Sequence, residues 1–246
     1  MTLKTQLYLD ILPQPDDTTC GPTCLHAVYR YYGDERPLTE VIAQTKKLRG
    51  GGTLAVMLAE DALRRGYDAT IFTYNLRVFD PTWFDDDPSL LPDRLRRQLE
   101  HKPDPKLRRA TKAYLQYLEQ GGRIEFADLT TTLIRRHLKR GTPLLTGLSA
   151  TYLYHCAREI GETNQYDDIR GEPSGHFVVI CGYDADTRKV NVADPLYDNP
   201  AFSGHHYEVP IARLVGAILL GVLTYDANFL LIEPKKNGRS KTGATP

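Results

Sequence analysis

Between residues 142 and 234 the chain changes its hydrophobic period, and that change limits the fold more than any other feature. TPLLTGLS from Thr142, HFVVICGY from His176, KVNVADP from Lys189 and NFLLIEP from Asn228 are strand-length runs dominated by Val, Ile, Leu and Phe. A short segment after Pro210 reads the same way, and turn residues separate the runs at Asp184–Asp186 and Pro195–Pro200. The first half is helical instead. TTCGPTCLHAVYRYYG places Cys24, Ala27, Val28 and Tyr31 at helical spacing, with Gly33 as its stop. A short helix follows over Thr39–Lys46. A third begins after Thr53 as N-cap, turns Leu54, Met57, Leu58 and Leu63 inward and stops at Gly66. YDATIFTYNL, from Tyr67, is the one strand of this half. Helices first and antiparallel strands second predict an α+β domain, not βαβ alternation.

Residues 80–105 interrupt this order with five prolines, Trp83 and the acidic run Asp85, Asp86 and Asp87. Asp104 and Pro105 then open a helix carrying Leu107, Ala110, Tyr114 and Leu118 on one face, closed by Gly121 and Gly122. Eight Lys or Arg and four acids between Asp93 and Glu119 read as a surface helical pair with a solvated basic face; a groove for an anionic partner is the other reading. Asp128 is the expected cap of a further helix with Leu129, Leu133, Ile134 and Leu138 inward. The expected organisation is one domain over 1–234 with an inserted segment at about 77–122, and a disordered basic tail over 235–246, which has no apolar anchor.

Composition narrows the function classes. Lys plus Arg and Asp plus Glu balance at 31 each, so no strong field draws the molecule to nucleic acid or an anionic membrane. No apolar run approaches the roughly 20 residues of a membrane span. The N-terminal stretch carries Asp10 and Pro13 where a signal peptide would continue its apolar core, so a cytoplasmic location is expected. Its four cysteines are expected to be free thiols.

Cys20 opens an apolar helix and is followed by Gly21, which allows backbone or substrate to approach closely. Unpaired amides and the dipole at a helix N-terminus favour the thiolate, the form that attacks carbon. Cys24, one turn inside, lacks that advantage and reads as a small core residue. Among seven histidines, His26 points away from Cys20 on the same helix, and His101 and His137 lie in charged surface stretches. His176, entered through Ser174 and Gly175 at the mouth of a strand, is the best placed base. Asp194, at the end of the next strand, is the acid available to orient it. Gln14, in the polar loop before Cys20, and the Cys20 amide are the expected oxyanion donors.

The order Gln14, Cys20, His176, Asp194 resembles the papain-like cysteine peptidases. QPDDTTCGPTC, GHFVV and ADP are most similar to the bacterial branch that removes double-glycine leader peptides from bacteriocins, and to its stand-alone cytoplasmic relatives. The resemblance covers roughly residues 7–75 and 130–232. It implies a papain-like α+β fold, a helical lobe packed on a mainly antiparallel sheet. It also implies a cysteine peptidase or amidase acting on a peptide or small amide through a thioester acyl-enzyme. Acyl transfer from the same thioester, or a non-catalytic peptide-binding module, are the alternatives. The segment at 77–122 has no expected place in the family core, and no transporter or ATPase domain is read in these 246 residues, so export coupled to cleavage is not expected. Asp16 and Asp17 before the nucleophile would repel acidic substrates or favour an amine.

Gly21, Ser149, Tyr152 and Gly175 are the expected substrate-binding residues, with Tyr154 and Tyr166 as further groove-lining candidates. His205, His206 and Glu208 lack the spacing of a zinc site and read as a turn entering an edge strand. Gly51–Thr53 is too short for a phosphate loop, so no metal and no cofactor is expected.

Overall fold

The computed structural model describes residues 4–48, 51–85, 87–161 and 163–235. The expected basic tail lies, except for Lys235, outside the described residues. In chain order the elements are β1 (Lys4–Gln6), α1 (Cys20–Tyr31), α2 (Leu38–Gln44), α3 (Ala55–Arg64), β2 (Tyr67–Thr73), α4 (Leu91–His101), α5 (Pro105–Glu119), β3 (Arg123–Glu125) and α6 (Thr131–Lys139). They continue as β4 (Leu144–Ser149), α7 (Ala150–Tyr154), β5 (Glu159–Ile160), β6 (Gln165–Tyr166), β7 (Gly175–Asp184), β8 (Lys189–Ala193), β9 (His206–Pro210), α8 (Ile211–Leu220) and β10 (Asn228–Pro234).

One sheet runs in the order β3–β2–β10–β4–β7–β8–β9, with β1 added along β7; a hairpin of β5 and β6 stands apart. Every pairing in the main sheet is antiparallel except β2 with β3. β7 lies deep in this sheet and is apolar on both sides, because both faces are covered. Phe177, Val179 and Cys181 join the core under α1 and α3, while Val178 and Ile180 join the core under α6 and α8. The architecture is the expected α+β one, a helical lobe against a mainly antiparallel sheet, with helices on the opposite face as well.

Helices α4 and α5 belong to the first of these cores. Leu91 and Leu95 of α4 and Leu107, Ala110, Tyr114 and Tyr117 of α5 are buried with the residues of α1 and α3. Tyr117 Oη also donates to the Ala69 carbonyl of β2 at 2.8 Å. As predicted, Asp104 caps α5, its carboxylate accepting from the amides of Lys106 and Leu107.

Several local expectations are corrected. The segment after Pro210 is the helix α8, burying Ile211, Leu214, Ala217 and Ile218. Thr53 does not cap α3; its hydroxyl donates to the Lys46 carbonyl. Thr130, not Asp128, caps α6 by accepting from the Leu133 amide. His137 is not on the surface: it is buried against Phe72, and burial lowers its pKa to about 4. The loop before His176 contains α7 and the β5–β6 hairpin.

Candidate active site

Residues from three distant stretches of chain converge where α1 meets the start of β7. Cys20 is the first residue of α1 and is 9% exposed. No side chain caps this helix, because the Thr19 hydroxyl is turned back to donate to the Asp16 carbonyl at 2.9 Å. The first amides of α1 are thus left without a side-chain acceptor, with the positive end of the helix dipole at the sulfur.

His176 stands one residue inside β7, 6% exposed, and its Nε2 meets Asp194 Oδ1 at 2.8 Å. That contact leaves Nδ1 as the ring nitrogen available to Cys20. Burial alone would discharge the imidazole. The Asp194 carboxylate opposes this, and so does Cys20, by charge and by hydrogen bond; together they raise the pKa to about 10. Cys24, by contrast, is fully buried and donates to the Phe177 carbonyl at 3.2 Å. Burial pushes its thiol up, and the nearby charges of Cys20 and Asp194 add to this, which leaves Cys24 a packing residue.

Asp194 has no solvent exposure and is held by donors on both oxygens. Oδ1 accepts from His176 and from the Leu196 amide at 2.9 Å. Oδ2 accepts from Tyr154 Oη at 2.7 Å, Tyr207 Oη at 2.6 Å and Asn199 Nδ2 at 3.2 Å. Burial alone would raise this carboxyl, but His176 and these donors hold it below its ordinary value. Its backbone is fixed as well: the Asp194 amide donates to the His205 carbonyl, and His205 Nδ1 bonds the Asp194 carbonyl, each at 2.8 Å. His206 Nε2 bonds the Leu9 carbonyl at 2.9 Å. Among the described residues no group of three His, Cys, Asp or Glu is placed to hold a metal ion.

Gln14 is tied to the same corner through its backbone, its amide donating to the Pro195 carbonyl at 2.9 Å. Its side-chain Nε2 donates to the Asp16 carbonyl at 3.0 Å, which engages one of two amide hydrogens and leaves the second. Gln14 and His176 line one cavity of about 180 Å³, together with Gly175.

The other expected binding residues are distributed differently. Gly175 lines that cavity. Gly21 does not: it is buried, and a Cβ there would stand 2.5 Å from Thr53 Cγ2 and 3.2 Å from the Phe177 ring, so its task is close packing of α1 on the sheet. Ser149 is buried and caps α7, accepting from the Tyr152 amide. Tyr152 lies against Gly216 of α8. Tyr166 lines the cavity, while Tyr154 also braces Asp194. Tyr207 and Asn199 were not singled out from the sequence. Tyr207 alternates with charged residues on an edge strand, and its stacking on Phe202, 3.9 Å between centroids, is a tertiary contact no local pattern displays.

A family model described as "Peptidase_C39 like family" matches residues 104–213, somewhat less than half of the chain. That stretch includes His176 and Asp194 and leaves out Gln14 and Cys20. No curated protein sequence matches the chain significantly. Among solved structures, a protein described as a C39-like peptidase from Bacillus anthracis superposes with a TM-score of 0.53 at 14% identity, covering 95% of this chain and 99% of that one. Xylellain, a cysteine protease from Xylella fastidiosa, superposes with a TM-score of 0.51 at 14% identity, covering 95% and 86%. The family model and these superpositions together give this chain the fold of the C39-like cysteine peptidases.

Proposed function

We propose that this chain is a cysteine peptidase or amidase with Cys20 as nucleophile, His176 as base, Asp194 as its orienter, and Gln14 with the Cys20 amide as oxyanion donors. The observation that carries the proposal is the state of His176. A buried imidazole held above its ordinary pKa by a fully hydrogen-bonded carboxylate, beside a cysteine at a helix N-terminus, has no evident structural purpose, and is what thiol catalysis needs.

The reaction follows from these positions. The Cys20 thiolate attacks the substrate carbonyl carbon, forming a C–S bond, while the carbonyl electrons move to an oxyanion facing the Gln14 side-chain amide and the Cys20 N–H. Collapse breaks the C–N bond, and His176 gives its proton to the departing amine. Neutral His176 then takes a proton from water as the water oxygen attacks the thioester. The C–S bond breaks, the carboxylic acid leaves, and the thiolate–imidazolium pair returns.

The test is labelling with iodoacetamide across pH, with mass mapping of all four cysteines. Cys20 is expected to react first of the four, and His176→Ala should abolish that lead. Slow, ordinary labelling of Cys20 in the wild-type protein would overturn the assignment. With a substrate in hand, Cys20→Ala should remove turnover while leaving the fold intact.

A further inference from the structure

A second cavity, of about 710 Å³, lies next to Gly175, which lines the small cavity that holds Gln14 and His176. Two neighbours tie it to the reacting centre. Its lining residue Thr224 packs on Gly175, with Oγ1 2.7 Å from where a Cβ would stand, and Gly175 precedes His176. Its lining residue Leu54 follows Thr53, which packs on Gly21 next to Cys20. The cavity floor is apolar, with Leu48, Leu54 and Leu223, and Leu223 is 56% exposed.

The rim is basic. Lys106 and Arg109 lie one turn apart on α5, and Arg158 faces them from the segment leading into β5. Among the described residues neither Lys106 nor Arg109 has a side-chain partner, and Arg158 donates only to the backbone carbonyls of Asp168 and Ile169. Glu172 is the single acid in the lining. The small cavity has the opposite sign, with Asp17, Glu159 and Asp198 around it. The sign of charge therefore changes across Gly175, beside His176.

We infer that the larger cavity binds an acidic segment of the substrate, its carboxylate side chains on Lys106, Arg109 and Arg158 and its apolar side chains on the leucine floor. This rests on the proposed peptidase reading and adds a substrate class to it: peptides whose acidic residues lie on one side only of the bond that is cut. On the other side Asp17, Glu159 and Asp198 repel carboxylates and accept a basic or neutral segment.

Binding is measured without turnover, on immobilised full-length Cys20→Ala protein. The probes are three pools of N-acetylated, C-amidated decapeptides, so that only side-chain charge differs. One pool carries Asp and Glu, one is uncharged, and one carries Lys and Arg. The acidic pool is expected to be retained about tenfold over the uncharged one at low salt, with the advantage fading as salt is raised. Lys106→Glu with Arg109→Glu should abolish or reverse it, whereas Lys139→Glu on α6 should not. Lys106→Gln with Arg109→Gln, which adds no repulsion, should reduce the advantage and guards against misfolding. Equal retention of the three pools, or acidic retention indifferent to either double variant, would overturn the inference. Neither result bears on Cys20, whose reactivity is read separately by labelling.

Discussion

At the scale of single residues, the carboxylate behind His176 controls how well the pair can work. Asp194 is the acceptor for five donors, and two of them are phenols on different elements. In the proposed reaction Tyr207 is a positioning residue, acting through Asp194. Tyr207→Phe keeps the stacking on Phe202 and removes one hydrogen bond to a charged acceptor, typically worth about 1.5 kcal/mol or more. The expected outcome is a fall in kcat of about tenfold with KM nearly unchanged. Losing a donor to the ionised form raises the Asp194 pKa, so the acid limb of the pH–rate profile should move to higher pH. A variant with reduced kcat and an unmoved acid limb would assign Tyr207 to packing alone. Gln14, Cys20, His176 and Asp194 could be proposed from the sequence because each has a chemical reason readable from its neighbours. Tyr207 could not, because a tyrosine alternating with charged residues on a strand has the same pattern whether its hydroxyl meets water or a buried acid. Gly21 was misread for a related reason: closeness to the nucleophile in sequence said nothing about which way its missing side chain would face.

At the scale of elements, local signals succeeded where period and cap agreed and failed where they did not. Cys24, Ala27 and Val28 gave α1 a clear inward stripe, and Gly33 at φ 86° ended it as expected. IARLVGAILL, from Ile211, is apolar almost throughout, so neither period stands out and a run of that length after a proline reads as a strand. Its burial on one face, with Leu219 and Leu220 exposed, becomes visible only once β4 is there to cover. Caps separate in the same way. Asp128 and Thr130 are both good cap residues near the start of α6, and only the backbone decides that Thr130 receives the Leu133 amide. Thr130→Ala should therefore destabilise the protein by about 1 kcal/mol in urea unfolding, while Asp128→Ala should be close to neutral. The reverse ranking would show that the cap lies at Asp128.

At the scale of the whole molecule, stability should carry the mark of one buried acid. Asp226 is buried; burial raises its carboxyl to about 8, although the Ala55 amide opposes this, and its Oδ1 has no hydrogen-bond partner among the described residues. Between the ordinary carboxylate value and about 8 the folded protein holds a proton that the unfolded chain releases. Stability therefore falls as pH rises through that interval and levels off above it. Asp226→Asn removes the charge and should raise Tm more at pH 9 than at pH 4.5. An equal change at both pH values would show that the carboxyl is already ionised near neutrality.

β10 is the last strand in sequence among the described residues, yet it pairs with β2 on one side and β4 on the other, in the middle of the sheet. A chain emerging from the ribosome consequently holds Cys20, His176 and Asp194 well before it holds this central strand. Until residues 228–234 are released, β2 and β4 each lack a partner edge, so a nascent or prematurely terminated chain would be exposed to aggregation. Truncation just before Asn228 is therefore expected to cost more than its length suggests, because it opens the sheet at its centre and not at its rim.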